Sequence, residues 1–501
     1  MQFKTWHAID PPPTPAELKL KTAAEAGVPC ILGPHDQIPE EPQDWRALTA
    51  AQQARHIRAG VLRVILLGLD GCAPTEKGVL LDGAYISGTL DLTDCTIPGN
   101  LLLHGCRFER EIHAPRTKWT SNLRLETCAL PALDAAGATI GGQLDCEGTT
   151  FNTPKGVSLK LQGAVIKNGL FLRAAILNGT AHLHSAKIGG QLDCQGATFT
   201  PSRHGMALNL QGAEITGSLY LRPRTRIAGP LNLTDAHTTT LVYDGRSWPP
   251  AGSLILDGFT YDRITDPLDI NTHLDWLARG DRWGGAFHPK PYKQLAKVLH
   301  DTGYEAEAQH ILFTLTAKLA AQRLMEIRKQ IEAARPFVPN LGLAIGLRVR
   351  LGAEIVADTL LRIVVGYGRK PFRSIGWLVT LIALCWVFAL GAWHRGDFAP
   401  NSAVILQSAE WRSLTDHPNA AQHWAKTSPT GRDWESFHSL AYAADVVIPI
   451  VDLGQTEAWA PSTERGPWGA QLWYLRWLFI ALGWIVTALG AAALTGIIRR
   501  E

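Results

Sequence analysis

The sequence predicts a parallel β-solenoid (a parallel β-helix) with helical caps, followed by an α-helical stalk and a two-helix transmembrane hairpin. Three observations carry that prediction. A leucine-rich unit recurs through the first half of the chain. Helical periodicity replaces it near residue 265. Two long uncharged apolar runs lie close to the C-terminus. Whole-chain averages conceal all three, because 501 residues with 46% hydrophobic and 19% charged residues and a net charge of +3 describe an ordinary soluble enzyme equally well. The hydrophobic content excludes disorder. Forty-seven Gly and 30 Pro without a three-residue period exclude collagen, and eight Cys make no disulfide scaffold in a chain this long.

Residues 1–48 read as an irregular N-terminal arm, and the first 30 contain no apolar stretch of the kind a cleaved signal peptide needs. Thr49 is placed to N-cap a helix running to about Leu67, so 49–77 is expected to cap the rod that follows. Such a cap is needed because an open strand edge invites aggregation.

The rod is predicted over 78–265. Residues 138–151 (ATIGGQLDCEGTTF) and 186–199 (AKIGGQLDCQGATF) are near copies. Inside this long repeat lies a shorter unit, Leu-x-Leu-x-Gly/Ala/Cys followed by Ile or Phe and then Gly, with a step of about 11. Leu-x-Leu is a period of two, the mark of a strand, and Gly supplies a turn in which φ is positive or a Cβ would clash. A unit this short buries its apolar face only by stacking on copies of itself. Two units per coil give about 22 residues per coil, about eight coils and, at ~4.8 Å per coil, a rod of ~40 Å. Spacing alone leaves the number of units per coil open. It also leaves open a β-sandwich with Gly141-Gly142 and Gly189-Gly190 as hairpin turns.

Helical signals follow. Within a stalk at 266–336, residues 271–279 suit one helix, Pro291 opens a second that stops near Gly303, and a third runs from Tyr304 to about Ala334. Residues 337–373 form a juxtamembrane segment. Over 341–365, Arg348, Arg350, Glu354, Asp358 and Arg362 mix with aliphatic residues, which suits either an amphipathic helix lying on a membrane or a packed soluble helix. Residues 290–373 hold 14 Lys/Arg against seven Asp/Glu, an excess that would face an anionic leaflet at ~1 kcal/mol per basic group.

Residues 374–393 and 477–498 are free of charge, and about 20 apolar residues cross a ~30 Å hydrocarbon core. The spans are therefore set at 374–394 and 473–498, with 395–472 between them; two buried core helices are the alternative. Trp377, Trp393, Trp473 and Trp477 stand at span ends, where an indole suits the headgroup layer. Arg369, Lys370 and Arg373 precede the first span, and Arg499 and Arg500 follow the second. The intervening segment has five Lys/Arg and nine Asp/Glu. Both termini are thus expected in the cytoplasm, and these five basic residues are the candidate lipid contacts.

The short alternating units, such as residues 86–92 (ISGTLDL) and 215–221 (ITGSLYL), resemble pentapeptide-repeat and bactofilin-like β-helices. Residues 289–308, then Gly366-Tyr367-Gly368 before a basic cluster, then 437–459 (FHSLAYAADVVIPIVDLGQTEAW), are similar to a group of bacterial membrane proteins. Some of these are labelled membrane-associated oxidoreductases. That resemblance implies an inner-membrane location and, through the label, redox chemistry.

The residues themselves supply no chemistry to match. No Gly-x-Gly-x-x-Gly follows a strand in a βαβ unit, and neither Cys-x-x-Cys nor a catalytic triad signature is present, so no cofactor, catalytic residue or metal ligand is predicted. Cys146 and Cys194 occupy equivalent repeat positions, which favours packing over reactivity. His394 sits one residue past the first span as an interfacial side chain. Residues 78–262 hold 15 Lys/Arg and 15 Asp/Glu, and the small cluster Arg222, Arg224 and Arg226 is no basic stripe, so no nucleic-acid partner is expected. Expected partners are membrane lipids and either another protein or further copies of the chain. Residues 436–448, followed by Pro449, Asp452 and Gly454, have the layout of a pore loop, in which Asp445 and Asp452 would form carboxylate rings. Three readings remain: a binding, sensing or scaffolding rod, a channel-like effector with the rod as sensor, and the oxidoreductase of the label.

Overall fold

A computed structural model describes residues 3–203, 205–265, 269–283, 286–334, 341–414 and 416–497; Arg499 and Arg500 lie outside these. The chain forms two compact units, Met1–Leu312 and Phe313–Glu501.

The first unit is a parallel β-solenoid of about eight turns. One coil consists of four short strands, Leu101–His104, Arg107–Phe108, Ile112–His113 and Lys118–Trp119. Each pairs in parallel with its counterpart in the next coil, Leu123–Glu126, Ala129–Leu130, Leu133–Asp134 and Thr139–Ile140. Stacked positions such as Asp82 and His104 are 22 residues apart. The 11-residue unit is therefore half a coil, two strands and their corners.

Leu101, Leu123, Leu144, Leu170, Leu192 and Leu219 fill the interior as one fully buried column. Full burial of such a side chain stabilises by about 1.5–3 kcal/mol. All strand pairs of the rod are parallel among the described residues, which removes the sandwich. The Gly-Gly pairs make no hairpins. They stand where one coil passes close over the next: a Cβ on Gly141 would meet the Thr120 carbonyl oxygen at 2.3 Å, and one on Gly189 the Lys167 oxygen at 2.1 Å.

The corners have a device of their own. Asp91, Asp134, Asp145, Asp193, Asn209 and Asn232 each accept, through Oδ1, the backbone N–H two residues on. Three residues on from each stands a left-handed residue, Asp94, Gly137, Gly148, Gly196, Gly212 or Asp235, with φ between 52 and 70°. The side chain thus replaces one backbone partner in a turn that needs αL. Asp145 is 2% exposed, and burial raises its pKa against the pull of the Glu147 N–H. Asp145→Asn keeps the turn and removes the buried charge, so its melting temperature should equal or exceed that of the parent. Asp145→Ala loses the bond and should cost about 0.5–1.5 kcal/mol. Thermal melts of the two variants side by side check this; a less stable Asn variant would contradict it.

The N-terminal 48 residues are not an irregular arm. Helix α1, Pro15–Ala26, is capped by Thr14 and Glu17 in a reciprocal box and buries Leu20, Ala23 and Ala24. Glu17 is fully buried and bonded by Arg58 at 2.7 Å. Cys30–Ile31 adds an outermost rung on Leu81 and Asp82. The helix expected from Thr49 divides as well. Thr49 caps only α2, Ala50–Gln53; His56–Arg58 then becomes a strand on Tyr85–Ser87, and α3, Ala59–Leu66, follows. Both departures have one cause: the open edge of the rod takes up any nearby segment that completes its hydrogen bonds.

At the other end, α4, Ile270–Arg279, covers the last coils. It presses Trp276 onto Trp248, Tyr243 and Tyr261 with ring centroids 5.0, 5.0 and 5.9 Å away. The Tyr243 hydroxyl and His273 Nδ1 are hydrogen-bonded at 2.5 Å, and His273 is 2% exposed. Burial holds its imidazole below the ordinary value, against the opposing charge of Asp269. An unfolded chain therefore takes up a proton that the folded state refuses, and stability falls as pH drops below about 6.5, by at most ~1.4 kcal/mol per unit. The melting temperature should drop between pH 7.5 and 5.5, and His273→Gln should reduce that drop. His56 and His182, also held low by burial, act in the same direction. An unchanged drop would remove His273 from the account. Two predicted stalk helices follow, α5, Lys290–Asp301, and α6, Glu305–Ala334, separated by Gly303 at φ 90°.

In the second unit, α7, Leu341–Val364, carries exposed Val349 and Val356 beside exposed Arg348 and Arg350. Helix α8, Arg373–His394, is the first apolar helix. Residues between the apolar helices are folded. They contain an antiparallel pair, Phe398–Pro400 with Trp459–Pro461, and the short helices α9, Ala403–Gln407, α10, Ala409–Arg412, α11, Ala420–Thr427, α12, Pro429–Arg432, α13, Ser439–Val447, and α14, Gln455–Ala458. Trp411, Trp424 and Trp459 are their core.

The second apolar helix, α15, Pro467–Leu494, begins six residues before the span expected from Trp473. Asp397, 2% exposed, accepts the Gly469 N–H at 2.9 Å. A carboxylate in that first turn meets the positive end of the helix dipole and extends the helix backwards. Both α8 and α15 are long and apolar enough to cross a membrane, with mean hydropathy 2.2 and 2.0.

Candidate functional sites

Three places deserve weight, and the first is α13. Its sequence (SLAYAADVV) is apolar apart from Ser439, the Tyr442 hydroxyl and Asp445, and it packs between α8 and α15 through Tyr442, Ala443, Val446 and Val447. Trp386, past the middle of α8, donates to Ser439 Oγ at 2.9 Å. At the other end the Val447 carbonyl oxygen lies 1.9 Å from where a Cβ on Gly483 would stand. Gly483 is near the middle of α15. A half-length helix therefore runs beside the two apolar helices and ends midway along one of them.

Asp445 and Asp452 close the turn that follows. Asp445 Oδ1 accepts the Leu453 N–H at 2.7 Å, and its Oδ2 accepts the Thr456 N–H at 3.0 Å and hydroxyl at 3.2 Å. Asp452 is exposed, and its Oδ1 accepts the Gly454 N–H at 3.0 Å. Pro449 is half-buried between them, and Ile450 beside it is 82% exposed. The sequence pattern of helix then turn is real. Both Asp445 oxygens, however, are occupied within the chain, so this carboxylate holds the turn on the helix.

The second place is the basic collar before α8. Arg373 is its first residue and is exposed; Lys370 is exposed, with Nζ 5.8 Å from the Phe313 ring; Arg369 is half-buried. Gly366, Tyr367 and Gly368 all have positive φ and reverse the chain between α7 and α8, and the Tyr367 hydroxyl donates to Asp358 at 2.7 Å.

The third place had no signal in the sequence. A cavity of about 750 Å³ opens in the N-terminal cap between α1, the Cys30–Ile31 rung and the turn leading into α2. Lys19, Arg46, Trp45 and His56 line it together with Ile31 and Leu48, and no carboxylate does. The volume lies within the range of small-ligand sites. Its chemistry suits an acidic group attached to an apolar or aromatic body. Only the capping box at Thr14 could have pointed here, because the lining residues converge from segments that carry no common motif.

The remaining candidates are structural. Cys146 and Cys194 are fully buried, and burial pushes both thiols far above the ordinary range, so neither is a thiolate at neutral pH. Cys30 and Cys72 are pushed up to about 11. His394 is the exposed last residue of α8, and Arg224 and Arg226 are exposed at one corner of the rod. Among the described residues no three His, Cys, Asp or Glu side chains are grouped to hold a metal ion. No family model, no curated protein and no solved structure matches the chain.

Proposed function

We propose that this is a membrane-anchored binding protein. On this reading α8 and α15 hold it in a bacterial inner membrane, both termini are cytoplasmic, and the solenoid presents a protein partner with a rigid docking surface. The observation that carries the reading is the cavity in the N-terminal cap, basic and aromatic, at one end of a rod whose interior is packed solid with leucine. Rods of stacked repeats supply long rigid surfaces and few catalytic clefts. Along the rod, charged side chains bond to one another across coils: His104 lies 3.1 Å from both Asp82 and Glu126. The likeness of the repeat to pentapeptide-repeat and bactofilin β-helices belongs to the same reading.

A photoreactive amino acid at Gln53, in the cavity wall, tests it against one at Lys187 on the side of the rod. Gln53 should give an adduct of discrete mass that is lost in Arg46→Glu, and Lys187 should not. No adduct, or the same adducts from both positions, contradicts the proposal. A flavin or haem spectrum in the purified protein would favour the oxidoreductase label instead.

A second reading, a channel-like effector, draws support from α13 alone, because a half-helix ending midway along α15 has the arrangement of a pore helix. Conductance in planar bilayers that changes in Asp452→Asn would support it, and silent bilayers would count against it.

A further inference from the structure

A second cavity, of about 620 Å³, lies within the C-terminal unit at the junction of α7 and α8. Its polar wall is Arg362 from α7 with Arg373 and Thr380 from α8; its apolar wall is Phe313, Ile363 and Trp377, with Gly376 leaving space between them. We propose that this cavity binds the headgroup of an anionic phospholipid, with the two guanidinium groups on its phosphate and an acyl chain leaving along α8. The proposal rests on the membrane reading and gives the collar a defined ligand.

Four features argue for it. No carboxylate lines the cavity, and neither Arg362 nor Arg373 has an ion-pair partner among the described residues. Two guanidinium groups from two helices therefore face one space whose wall holds no carboxylate. Arginine forks match the oxygens of a phosphate, and they are less strongly hydrated than an ammonium, which suits a site at a membrane surface. The indole of Trp377 is held at the rim, because its Nε1 donates to the Ile363 carbonyl at 3.3 Å. Trp377 is 41% exposed in the second turn of the apolar helix, where an indole favours the headgroup layer. Leu384 and Val387, 50% and 54% exposed, lie on the same face of α8 as Arg373, Trp377 and Thr380 and continue the apolar surface away from the two arginines, as an acyl chain requires and a free anion does not. Lys370, at the Phe313 ring, adds a third positive charge at the entrance.

A lipid held by both arginines ties α7 to α8. It would make the seating of the segment before the first span depend on the charge of the leaflet around it. The sequence singles out Arg373 by its place before the span. It does not single out Arg362 as its partner, because eleven positions and a chain reversal separate them.

The test uses the full chain, purified in detergent and examined by native mass spectrometry with added phosphatidylglycerol or phosphatidylcholine. The expected result is one or two retained phosphatidylglycerol molecules, at least fivefold more than phosphatidylcholine. The double variant Arg362→Gln/Arg373→Gln should lose that preference, whereas Arg412→Gln/Arg432→Gln, in the segment between the apolar helices, should keep it. An unchanged melting temperature shows that the double variant is folded; if it is not, Trp377→Ala, which leaves the charges in place, should reduce retention on its own. Equal retention of the two lipids, or a preference that survives both changes, overturns the proposal. Displacement by millimolar inorganic phosphate would assign the site to a free anion and overturn it as well. A chain that alkaline carbonate releases from membranes refutes the membrane reading itself, a result distinct from a membrane-bound chain without lipid preference.

Discussion

Leu170→Ala should destabilise the solenoid by about 2–5 kcal/mol, among the larger effects expected of a single truncation in the rod. Leu170 is fully buried, and it pairs directly with Leu144 in one neighbouring coil and Leu192 in the other. Coils stacked on both sides prevent the backbone from collapsing into the space left behind, so the cavity term adds to the lost transfer energy. In a rod each coil contacts only its neighbours, and the damage should stay local. Hydrogen exchange should therefore rise most in the coils around 144–192 and least near α1. Uniform loss of protection along the rod would contradict the account, as would a change in melting temperature no greater than that of Asp145→Ala.

Gly483→Ala is the second large effect. A methyl group there would stand 1.9 Å from the Val447 carbonyl oxygen and 2.9 Å from its carbon, and a backbone atom has no rotamer by which to give way. Helix α13 must then move off α15, exposing Val446 and Val447, at a cost of about 1–3 kcal/mol or more. The turn held by Asp445 should loosen with it. A single cysteine placed at Ile450 should change its labelling rate in Gly483→Ala, whereas Gly376→Ala on α8, where a Cβ meets nothing, should leave the rate alone. Equal rates in both variants would show that the two helices do not pack as described.

Much of this architecture is legible in the residues. A Leu-x-Leu unit repeated at a fixed step has one economical solution, the stacked coil, and two runs without charge have few soluble ones. The pairing within a coil was not legible, because a step of 11 is compatible with one, two or more units per turn. The Asp145 and Asp193 side chains stood in plain view in both near copies, yet their role appears only with the backbone N–H groups they accept. At the N-terminus the Thr14–Glu17 box is a local helix signal that no strong apolar run follows, so the pattern of residues 1–48 does not itself show a packed helix. The folded segment between the apolar helices was harder. Trp411, Trp424 and Trp459 are spread over 49 positions, and only tertiary packing gathers them. Neither cavity was visible in advance, since their walls come from segments with unrelated local patterns.

The central proposal is that α8 and α15 anchor a cytoplasmic rod in a membrane. Paired reporter fusions at Met1, within 416–430 and at Glu501 test it most directly, using a fluorescent protein that matures only in the cytoplasm and a phosphatase that is active only outside. The account predicts fluorescence at both termini and phosphatase activity at 416–430. Phosphatase activity at Met1, or fluorescence at all three positions, would contradict it.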